Sequence, residues 1–304
     1  MRRYVVVGCG AVGGLYGARL AAAGHPLGFL VRSDVAVLRR DGLRLDSVAG
    51  DVHLPAGSFA ASADPAELGV ADVVAVALKS TQNGALVDLL PPLVGPATTV
   101  VVLQNGLGVE AEADAAAPAA GAVIGGMCFV CSAKVGPGHV VHQDYGAVTL
   151  GVHRGPSDAA EAVAADLRGA GVEVAVADDL TTARWTKLLW NVPFNGLTAR
   201  HEVGTVVLLR DRRAEVEGLM AEVVAAGQAC GAAIDASTAA EMVARTEAMV
   251  PYRTSMALDR AAGRPLEHDA IHGAAVRAGA EAGVAMPMVE ALWRALDDLT
   301  APGG

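Results

Sequence analysis

Lysine, asparagine and aromatic residues are scarce in this chain of 304 residues. Aromatic residues make up 4% of a sequence that is 53% hydrophobic, so the core must consist mainly of small aliphatic side chains. The three lysines are Lys79, Lys134 and Lys187, and the four asparagines are Asn83, Asn105, Asn191 and Asn195. Because twenty arginines serve elsewhere, each lysine indicates a position that needs a compact, titratable ammonium.

Cysteine is too sparse to support a disulfide framework. The chain has only Cys9, Cys128, Cys131 and Cys230, which favours a reducing cytoplasm. Cys128 and Cys131 have the spacing of a metal motif, but neither a second cysteine pair nor a nearby histidine cluster completes it. We interpret both as buried strand cysteines and expect no metal site.

Basic charge is in deficit, with 33 Asp and Glu against 23 Lys and Arg and a formal net charge of −10. This balance argues against nucleic acid and anionic membranes as partners. No uninterrupted apolar run reaches the roughly 18 residues of a membrane span. Met1-Arg2-Arg3 leads straight into a predicted strand, so we also expect no signal peptide.

A glycine pattern near the start of the chain is the most informative motif. Gly8-Cys9-Gly10-Ala11-Val12-Gly13 follows the apolar run Tyr4–Val7 and opens an Ala- and Leu-rich segment. In a dinucleotide-binding turn, the first glycine permits the turn, the second lets the backbone approach the pyrophosphate, and the third lets the helix pack on the strand. Free N–H groups at the helix start then bind the pyrophosphate. A purely structural glycine turn is the alternative interpretation.

The end of the second predicted strand, residues 27–31, bears on the choice of cofactor. In NAD-type folds an acidic residue there binds the ribose hydroxyls, whereas an arginine suits the 2′-phosphate of NADP. Arg32 follows the strand directly, and Asp34 lies close by. The sequence therefore favours NADP over NAD, with Arg32 as a cofactor-binding residue.

Two further strands are predicted over residues 71–78 and 98–103; Lys79 directly follows the first, and Gln104-Asn105 follows the second. Ligands of open parallel sheets bind outside the carboxyl ends of the strands, where Lys79 and Asn105 both fall. We interpret Lys79 as a partner of a cofactor phosphate, with a solvated lysine as the alternative. Asn105 belongs either to the site or to the turn before Gly106.

The remaining sequence predicts two domains, an α/β domain over residues 1–177 and a helical domain over residues 178–304. Residues 42–56 resemble a short hairpin or an excursion from the sheet, and residues 123–130, 139–151 and 172–176 resemble strands. A helix is predicted over residues 157–169 and another from Ser80 to about Leu90, which Pro91-Pro92 ends. From Asp178 onward the sequence is helical almost without interruption.

One helix of the second domain carries a polar stripe. Lys187, Asn191 and Asn195 recur every four residues on one face, and Trp, Leu and Phe cover the other faces. Such a stripe must find partners or face a cavity. It suits a reducing site, where a lysine protonates a carbonyl oxygen and the amides hold the substrate. The alternative is a snorkelling lysine beside two bridging amides. Pro193 removes a backbone donor within this helix.

Ser255 and Glu267 are further candidates in the helical domain. Glu267 can orient and tune Lys187, and Ser255 can donate a hydrogen bond to a carboxylate. A helix N-cap and a first-turn carboxylate explain the same two residues on spacing alone.

Taken together and in order, these residues resemble the ketopantoate reductases, or 2-dehydropantoate 2-reductases. The resemblance covers almost the whole chain and includes the glycine turn, Asn105-Gly106-Leu107-Gly108, Asn195-Gly196-Leu197-Thr198-Ala199, and Glu267 with Asp269 and Gly273. It implies an NADP-binding Rossmann domain and an all-helical second domain like that of 6-phosphogluconate dehydrogenase. It further implies reduction of 2-dehydropantoate to (R)-pantoate, on the pantothenate route to coenzyme A.

The resemblance also implies a role for each matching residue. Lys187 is then the proton donor, with Glu267 as its partner and close to the cofactor. The substrate is held by Asn105, Asn191, Asn195 and Ser255. The cofactor is bound by Gly8, Cys9, Gly10, Ala11, Val12, Gly13, Arg32, Lys79, Asn105, Ala133 and Glu267. Two positions depart from the family pattern: His272 replaces a common Asn, and His268 replaces an apolar residue.

Two other functions stay compatible with the sequence. The first is an NADPH-dependent reductase of another small 2-oxo acid, and the second is a regulator that senses NADP without turnover. The expected partner is a small-molecule 2-oxo acid, with neither nucleic acid nor membrane. The sequence does not determine the oligomeric state, and a homodimer is one arrangement that it leaves open.

Overall fold

The computed structural model describes residues 1–249 and 251–300, and the chain forms two compact units. The first unit comprises residues 1–104 and 109–180, and the second comprises residues 105–108 and those after residue 180. The predicted boundary between residues 177 and 178 stays a prediction. Residues 250 and 301–304 of the predicted second domain lie outside the described residues.

The first unit is built on a mixed sheet. Its strands are β1 (Tyr4–Val7), β2 (Leu27–Leu30), β3 (Leu43–Ser47), β4 (Val52–Leu54), β5 (Ala60–Ser62), β6 (Val73–Val76), β7 (Thr99–Val102), β8 (Ala122–Gly136), β9 (His139–Arg154) and β10 (Val174–Val176). Their order is β4-β3-β9-β8-β7-β6-β1-β2-β5, with β10 paired to β9. Strand β1 is parallel to both of its neighbours, β2 and β6, so the chain reverses its direction of winding there. Such a switch point is where open α/β sheets bind ligands.

Helices cover both faces of the sheet. They are α1 (Ala11–Ala22), α2 (Val35–Asp41), α3 (Pro65–Leu68), α4 (Leu86–Leu89), α5 (Val109–Ala116) and α6 (Ala159–Gly169). Val6 belongs to the apolar cluster that includes α1 and α6, whereas Val5 and Val7 belong to the cluster that includes α4 and α5. Burial on both faces explains why β1, β6 and β7 are continuously apolar rather than alternating.

The observed elements differ from the predicted ones mainly after Lys79. In place of one helix to Leu90, a 3₁₀ segment spans Ser80–Ala85, α4 is short, and a second 3₁₀ turn spans Pro91–Leu93. The segment is rich in Ser, Thr, Asn and Gly, which are poor formers of regular helix. The predicted hairpin over residues 42–56 is confirmed by the antiparallel pairing of β3 with β4.

The second unit is helical. Its helices are α7 (Leu180–Trp190, which begins one residue before the division), α8 (Gly196–His201), α9 (Thr205–Ala229), α10 (Ala236–Glu247), α11 (Ser255–Ala261), α12 (Ala274–Glu281) and α13 (Pro287–Thr300). Two π-helical turns, Asn191–Asn195 and Asp269–Gly273, interrupt the α-helical pattern. Helix α9 is broken at Arg212, whose φ is −139°. The predicted classes, an α/β domain followed by a helical one, are confirmed.

Among the described residues, none of the helices combines the length and the apolar character that crossing a bilayer requires.

Candidate active site

The glycine turn between β1 and α1 has the geometry of a dinucleotide site. Gly8 has a φ of +101°, which side chains strongly disfavour. A Cβ on Gly13 would lie 2.0 Å from the carbonyl oxygen of Gly8, so α1 packs on β1 at backbone distance. A Cβ on Gly10 would meet no atom within 4 Å. This open space is the room that a pyrophosphate needs beside the start of α1, so the turn fits the cofactor.

The thiol within the glycine turn is a packing group. Cys9 is 6% exposed, and burial raises its pKa to about 12. A thiol that stays protonated at neutral pH is a poor nucleophile. Its backbone, rather than its sulfur, belongs to the turn.

The carboxyl end of β2 carries one exposed cation and one buried anion. Arg32 is exposed and therefore accessible to an anion. Asp34 is 5% exposed, and its Oδ2 lies 2.6 Å from Nζ of Lys134 and accepts a hydrogen bond of 3.2 Å from the Gly138 backbone. The carboxylate is therefore engaged within the protein.

Two other predicted cofactor residues lie in this unit. Lys79 is half-buried and begins the 3₁₀ segment that follows β6. Ala133 is half-buried in β8, opposite Val141 of β9. The neighbouring Ser132 donates a hydrogen bond of 3.3 Å from Oγ to the carbonyl of Ala11, which holds this part of β8 beside the glycine turn.

In the helical unit, Lys187 lies on the last turn of α7. It is half-buried, and its Nζ lies 6.0 Å from the ring centroid of Trp190. A cation over an aromatic face is stabilised by the ring quadrupole, which favours the charged ammonium.

The predicted polar stripe is reshaped by a π-helical turn. Pro193 has no N–H to donate to the carbonyl of Leu189, so the α-helical ladder cannot continue unchanged. Asn191 and Asn195 lie at the two ends of this turn, and each is 2% exposed. π-turns of this kind occur often at functional sites.

Both amides of this turn are placed for polar recognition. The Nδ2 of Asn191 donates a hydrogen bond of 3.3 Å to Oδ1 of Asn105. The Oδ1 of Asn195 is buried and has no hydrogen-bond partner among the described residues. A buried acceptor without a partner is costly, and it is satisfied when a donor from a ligand reaches it.

Residues 105–108 are fastened to the second π-turn. Gly106 has a φ of +110°, and a Cβ there would lie 2.6 Å from the carbonyl oxygen of Ala270. The same carbonyl accepts a hydrogen bond of 2.9 Å from the Leu107 backbone. Asn105 is thus held within the helical unit by its own loop, and the turn and site interpretations of this residue are compatible.

Ser255 is not the N-cap of its helix. Thr254 caps α11 by accepting a hydrogen bond from the Ala257 backbone, and its hydroxyl lies 2.7 Å from the hydroxyl of Thr198. The capping interpretation of Ser255 is therefore wrong, and its hydroxyl, on the first helical residue, is half-buried. The interaction between the two threonines joins α8 to α11 through buried groups.

Glu267 is the buried acid of the candidate site. It is 6% exposed and directly precedes the helical turn that begins at His268. The acid in the first turn of the following π-segment is Asp269, which is exposed and accepts two hydrogen bonds from Arg277. An almost fully buried carboxylate requires charged or polar partners, which a lysine ammonium can supply.

The departure from the family pattern at His272 lies in the core. The imidazole is fully buried, and its Nε2 donates a hydrogen bond of 2.9 Å to the carbonyl of Val192 in the first π-turn. A Cβ on Gly196 would lie 2.5 Å from that nitrogen, which leaves no space beside the ring. Burial lowers the pKa of His272 to about 4, despite the hydrogen bond, so the ring is neutral. His272 therefore bridges the two π-turns.

Sequence reasoning missed three of these features: the Lys134–Asp34 pair, the bridge made by His272, and the contact between Thr198 and Thr254. Only the Lys134–Asp34 pair could have been suspected from the sequence, because Lys134 is one of only three lysines. No group of three or more His, Cys, Asp or Glu side chains in residues 1–249 and 251–300 is arranged to hold a metal ion.

Comparison with known proteins decides the family. The model of ketopantoate reductase PanE/ApbA matches residues 4–155, and the model of its C-terminal domain matches residues 179–300. This chain belongs to the ketopantoate reductase family. The resemblance inferred from the sequence is thereby confirmed.

Individual relatives match along nearly their whole length. A 2-dehydropantoate 2-reductase of Nostoc sp. is 42% identical over 303 residues, with 97% of this chain and 94% of the relative covered. The crystal structure of 2-dehydropantoate 2-reductase from Geobacter metallireducens is 39% identical, with a TM-score of 0.93 and coverage of 97% and 99%. That from Methylococcus capsulatus is 34% identical, with a TM-score of 0.90 and coverage of 99% and 98%. Members of this family are NAD(P)-dependent oxidoreductases.

Two glycine substitutions separate the fold of the turn from its binding role. Gly10→Ala places a methyl group in open space, so we expect an unchanged thermal midpoint but at least about tenfold weaker dinucleotide binding. Gly13→Ala drives a methyl group into backbone, so we expect a loss of several degrees in the midpoint. Calorimetry and thermal unfolding measure both effects. Undiminished dinucleotide binding by Gly10→Ala would contradict the assignment.

The buried imidazole of His272 predicts a pH-dependent stability. Its pKa is lower in the folded chain than the usual 6.5, so the unfolded chain takes up a proton first as the pH falls. Stability is therefore lost on acidification below about pH 6.5, by about 1 kcal/mol between pH 7.5 and 5.5. His272→Gln retains an amide donor but does not titrate. We expect its thermal midpoint to fall a few degrees less than that of the wild type over this interval; equal losses would be evidence against a neutral imidazole.

Proposed function

We propose that this protein reduces 2-dehydropantoate to (R)-pantoate with NADPH as the hydride donor. The observation that supports this most directly is the similarity to 2-dehydropantoate 2-reductases over 97% of the chain, across both units. Pantoate is the acid component of pantothenate, on the route to coenzyme A. None of the four cysteines forms a disulfide in the part of the chain that the structure describes, which suits a reducing cytoplasm. A homodimer stays a prediction.

NADPH rather than NADH is favoured by the charges at the end of β2. Arg32 is exposed and suits a 2′-phosphate, whereas the nearby carboxylate of Asp34 is occupied by Lys134. An NAD-type site needs a free acid there to bind ribose hydroxyls. Lys79, half-buried after the neighbouring parallel strand β6, adds a second positive charge at the same edge.

The substrate offers a carboxylate, a ketone and one hydroxyl, and the hydroxyl is its only hydrogen-bond donor at neutral pH. The buried Oδ1 of Asn195 is an acceptor that lacks a donor, so we assign it to this hydroxyl. Ser255 and the amide N–H groups of Asn191 and Asn195 supply donors for the carboxylate and the hydroxyl oxygen. Asn105, already bonded to Asn191, orients the ketone end of the substrate.

The chemical step requires a proton at the ketone oxygen. NADPH, which the glycine turn of residues 8–13 with Arg32 and Lys79 would hold, would supply the hydride for the carbonyl carbon. Negative charge then grows on the oxygen, and Lys187 donates a proton to it as the general acid. Glu267, almost fully buried, holds the ammonium in position and keeps it charged between turnovers. Net reaction consumes one NADPH and one proton for each pantoate formed.

The decisive assay compares 2-dehydropantoate with 3,3-dimethyl-2-oxobutanoate, which lacks only the hydroxyl, while NADPH or NADH absorbance is followed. Without the hydroxyl, the acceptor oxygen of Asn195 stays unpaired, so we expect kcat/KM to fall at least about a hundredfold. We also expect NADPH to be preferred over NADH. Equal rates with both substrates would favour the broader 2-oxo acid reductase. Absence of turnover with any 2-oxo acid would favour the NADP-sensing regulator.

Replacement of the proton donor tests the catalytic role directly. Lys187→Ala is expected to lower kcat by about a hundredfold or more, because general-acid catalysis contributes on that order, while NADPH affinity changes little. Thr186→Ala, on the adjacent position of α7, removes a hydroxyl that bonds only within its helix in the described residues and serves as the matched control. Steady-state kinetics and NADPH titration measure both variants. Unchanged turnover in Lys187→Ala would remove this residue from the mechanism.

A further inference from the structure

The end of β2 carries two opposite charges where a dinucleotide site uses one. Arg32 and Asp34 are separated by one residue, and both follow the strand whose end normally distinguishes the two cofactors. An unpaired carboxylate two positions from Arg32 would repel a ribose 2′-phosphate. The preference for one cofactor therefore depends on whether another group compensates the charge of Asp34.

The tip of the β8–β9 hairpin compensates the negative charge of Asp34. Its Oδ2 lies 2.6 Å from Nζ of Lys134 and accepts a hydrogen bond from the backbone of Gly138, while Oδ1 accepts one from the hydroxyl of Ser33. Burial by itself would raise the pKa of Asp34, but its hydrogen bonds and the charge of Lys134 lower it below the usual value. The carboxylate is thus ionised and compensated.

The net charge that these residues place at the end of β2 depends on Lys134. Arg32 and Asp34 alone sum to zero, and Lys134 restores one positive charge at the end of β2. The side chain of Asp34 is 7% exposed and that of Lys134 is 33% exposed, so the compensating ammonium is the member that contacts solvent. The paired carboxylate is therefore kept from solvent, and the exposed Arg32 is available to an incoming anion.

We propose that Lys134 is a specificity-determining residue for the cofactor: by pairing with Asp34, it leaves the charge of Arg32 available to the 2′-phosphate. The proposal rests on the proposed function, because it concerns the binding of NADPH. Lys134 acts through Asp34 and is a positioning residue rather than a ligand of the phosphate.

The alternative is that the Lys134–Asp34 pair acts only as a structural clamp, and this alternative predicts a different result. The pair joins the hairpin tip to the start of α2, and its loss as a clamp would weaken NADPH and NADH equally. Loss of charge compensation instead weakens only ligands that carry the 2′-phosphate. Binding of 2′,5′-ADP and of ADP by calorimetry isolates this difference without any turnover.

The test uses Lys134→Met, Asp34→Asn, the double variant and Lys134→Arg. Lys134→Met is expected to weaken 2′,5′-ADP and NADPH about fivefold more than ADP and NADH, the order expected of one uncompensated charge near a partly exposed site, and less at high salt. In the double variant the ratio should return to within about twofold of the wild type, because no carboxylate is left to compensate. Lys134→Arg and Asp34→Asn should each retain the preference.

Arg44→Met provides a matched control, because it removes the cation of another ion pair in the same unit, with Asp46 at 2.6 Å, and should leave the ratio unchanged. Equal weakening of all four ligands by Lys134→Met would overturn the inference in favour of a clamp. A loss that persists in the double variant would also overturn it, since Lys134 would then bind the phosphate itself. If the wild type shows no preference for 2′,5′-ADP over ADP, the proposed cofactor is wrong and the inference falls with it.

Discussion

The close approach of α1 to the backbone of Gly8, directly after β1, is the constraint on which the nucleotide-binding unit depends. A Cβ on Gly13 would lie 2.0 Å from the carbonyl oxygen of Gly8. Only glycine therefore allows the helix to begin this close to the end of the strand. The first N–H groups of a helix have no partner within it, and α1 starts beside the open space at Gly10, where a Cβ would meet no atom within 4 Å. Because β1 lies between β2 and β6, that space is bordered by the ends of both neighbours. Sheet order and glycine geometry thus converge on one place.

The helical unit has a different constraint, because it holds polar side chains inside an apolar core. The π-turn Asn191–Asn195 meets this constraint. Pro193 breaks the α-helical hydrogen-bond ladder, and Asn191 and Asn195 each lie two residues from the break. Irregular backbone must itself be satisfied, and the neutral imidazole of His272 supplies one of the donors. A histidine at a position where asparagine is common in the family is chemically consistent with this role, because both side chains can donate to a carbonyl.

The features that could be predicted from the sequence are the local ones. The glycine turn, the apolar strands and the clustering of scarce polar residues depend on spacing within a few residues, and the strand and helix patterns follow from the same periodicities. The 3₁₀ geometry after Lys79 and the π-turn at Pro193 were not predicted. The propensities of the residues in these segments indicate only that a regular α-helix is unfavourable there. The geometry that replaces it is selected by packing.

The partners that sequence reasoning missed are distant along the chain. Lys134 meets Asp34 across a hundred residues, and His272 meets Val192 across eighty. Nothing in the periodicity of either segment specifies the other, because register and hairpin reach are set by the whole sheet or bundle. Composition gave a hint for lysine alone, because three lysines among twenty arginines indicated positions that need a compact, titratable ammonium. We propose two uses for these scarce ammonium groups: Lys187 donates a proton to the substrate, and Lys134 compensates the charge of Asp34.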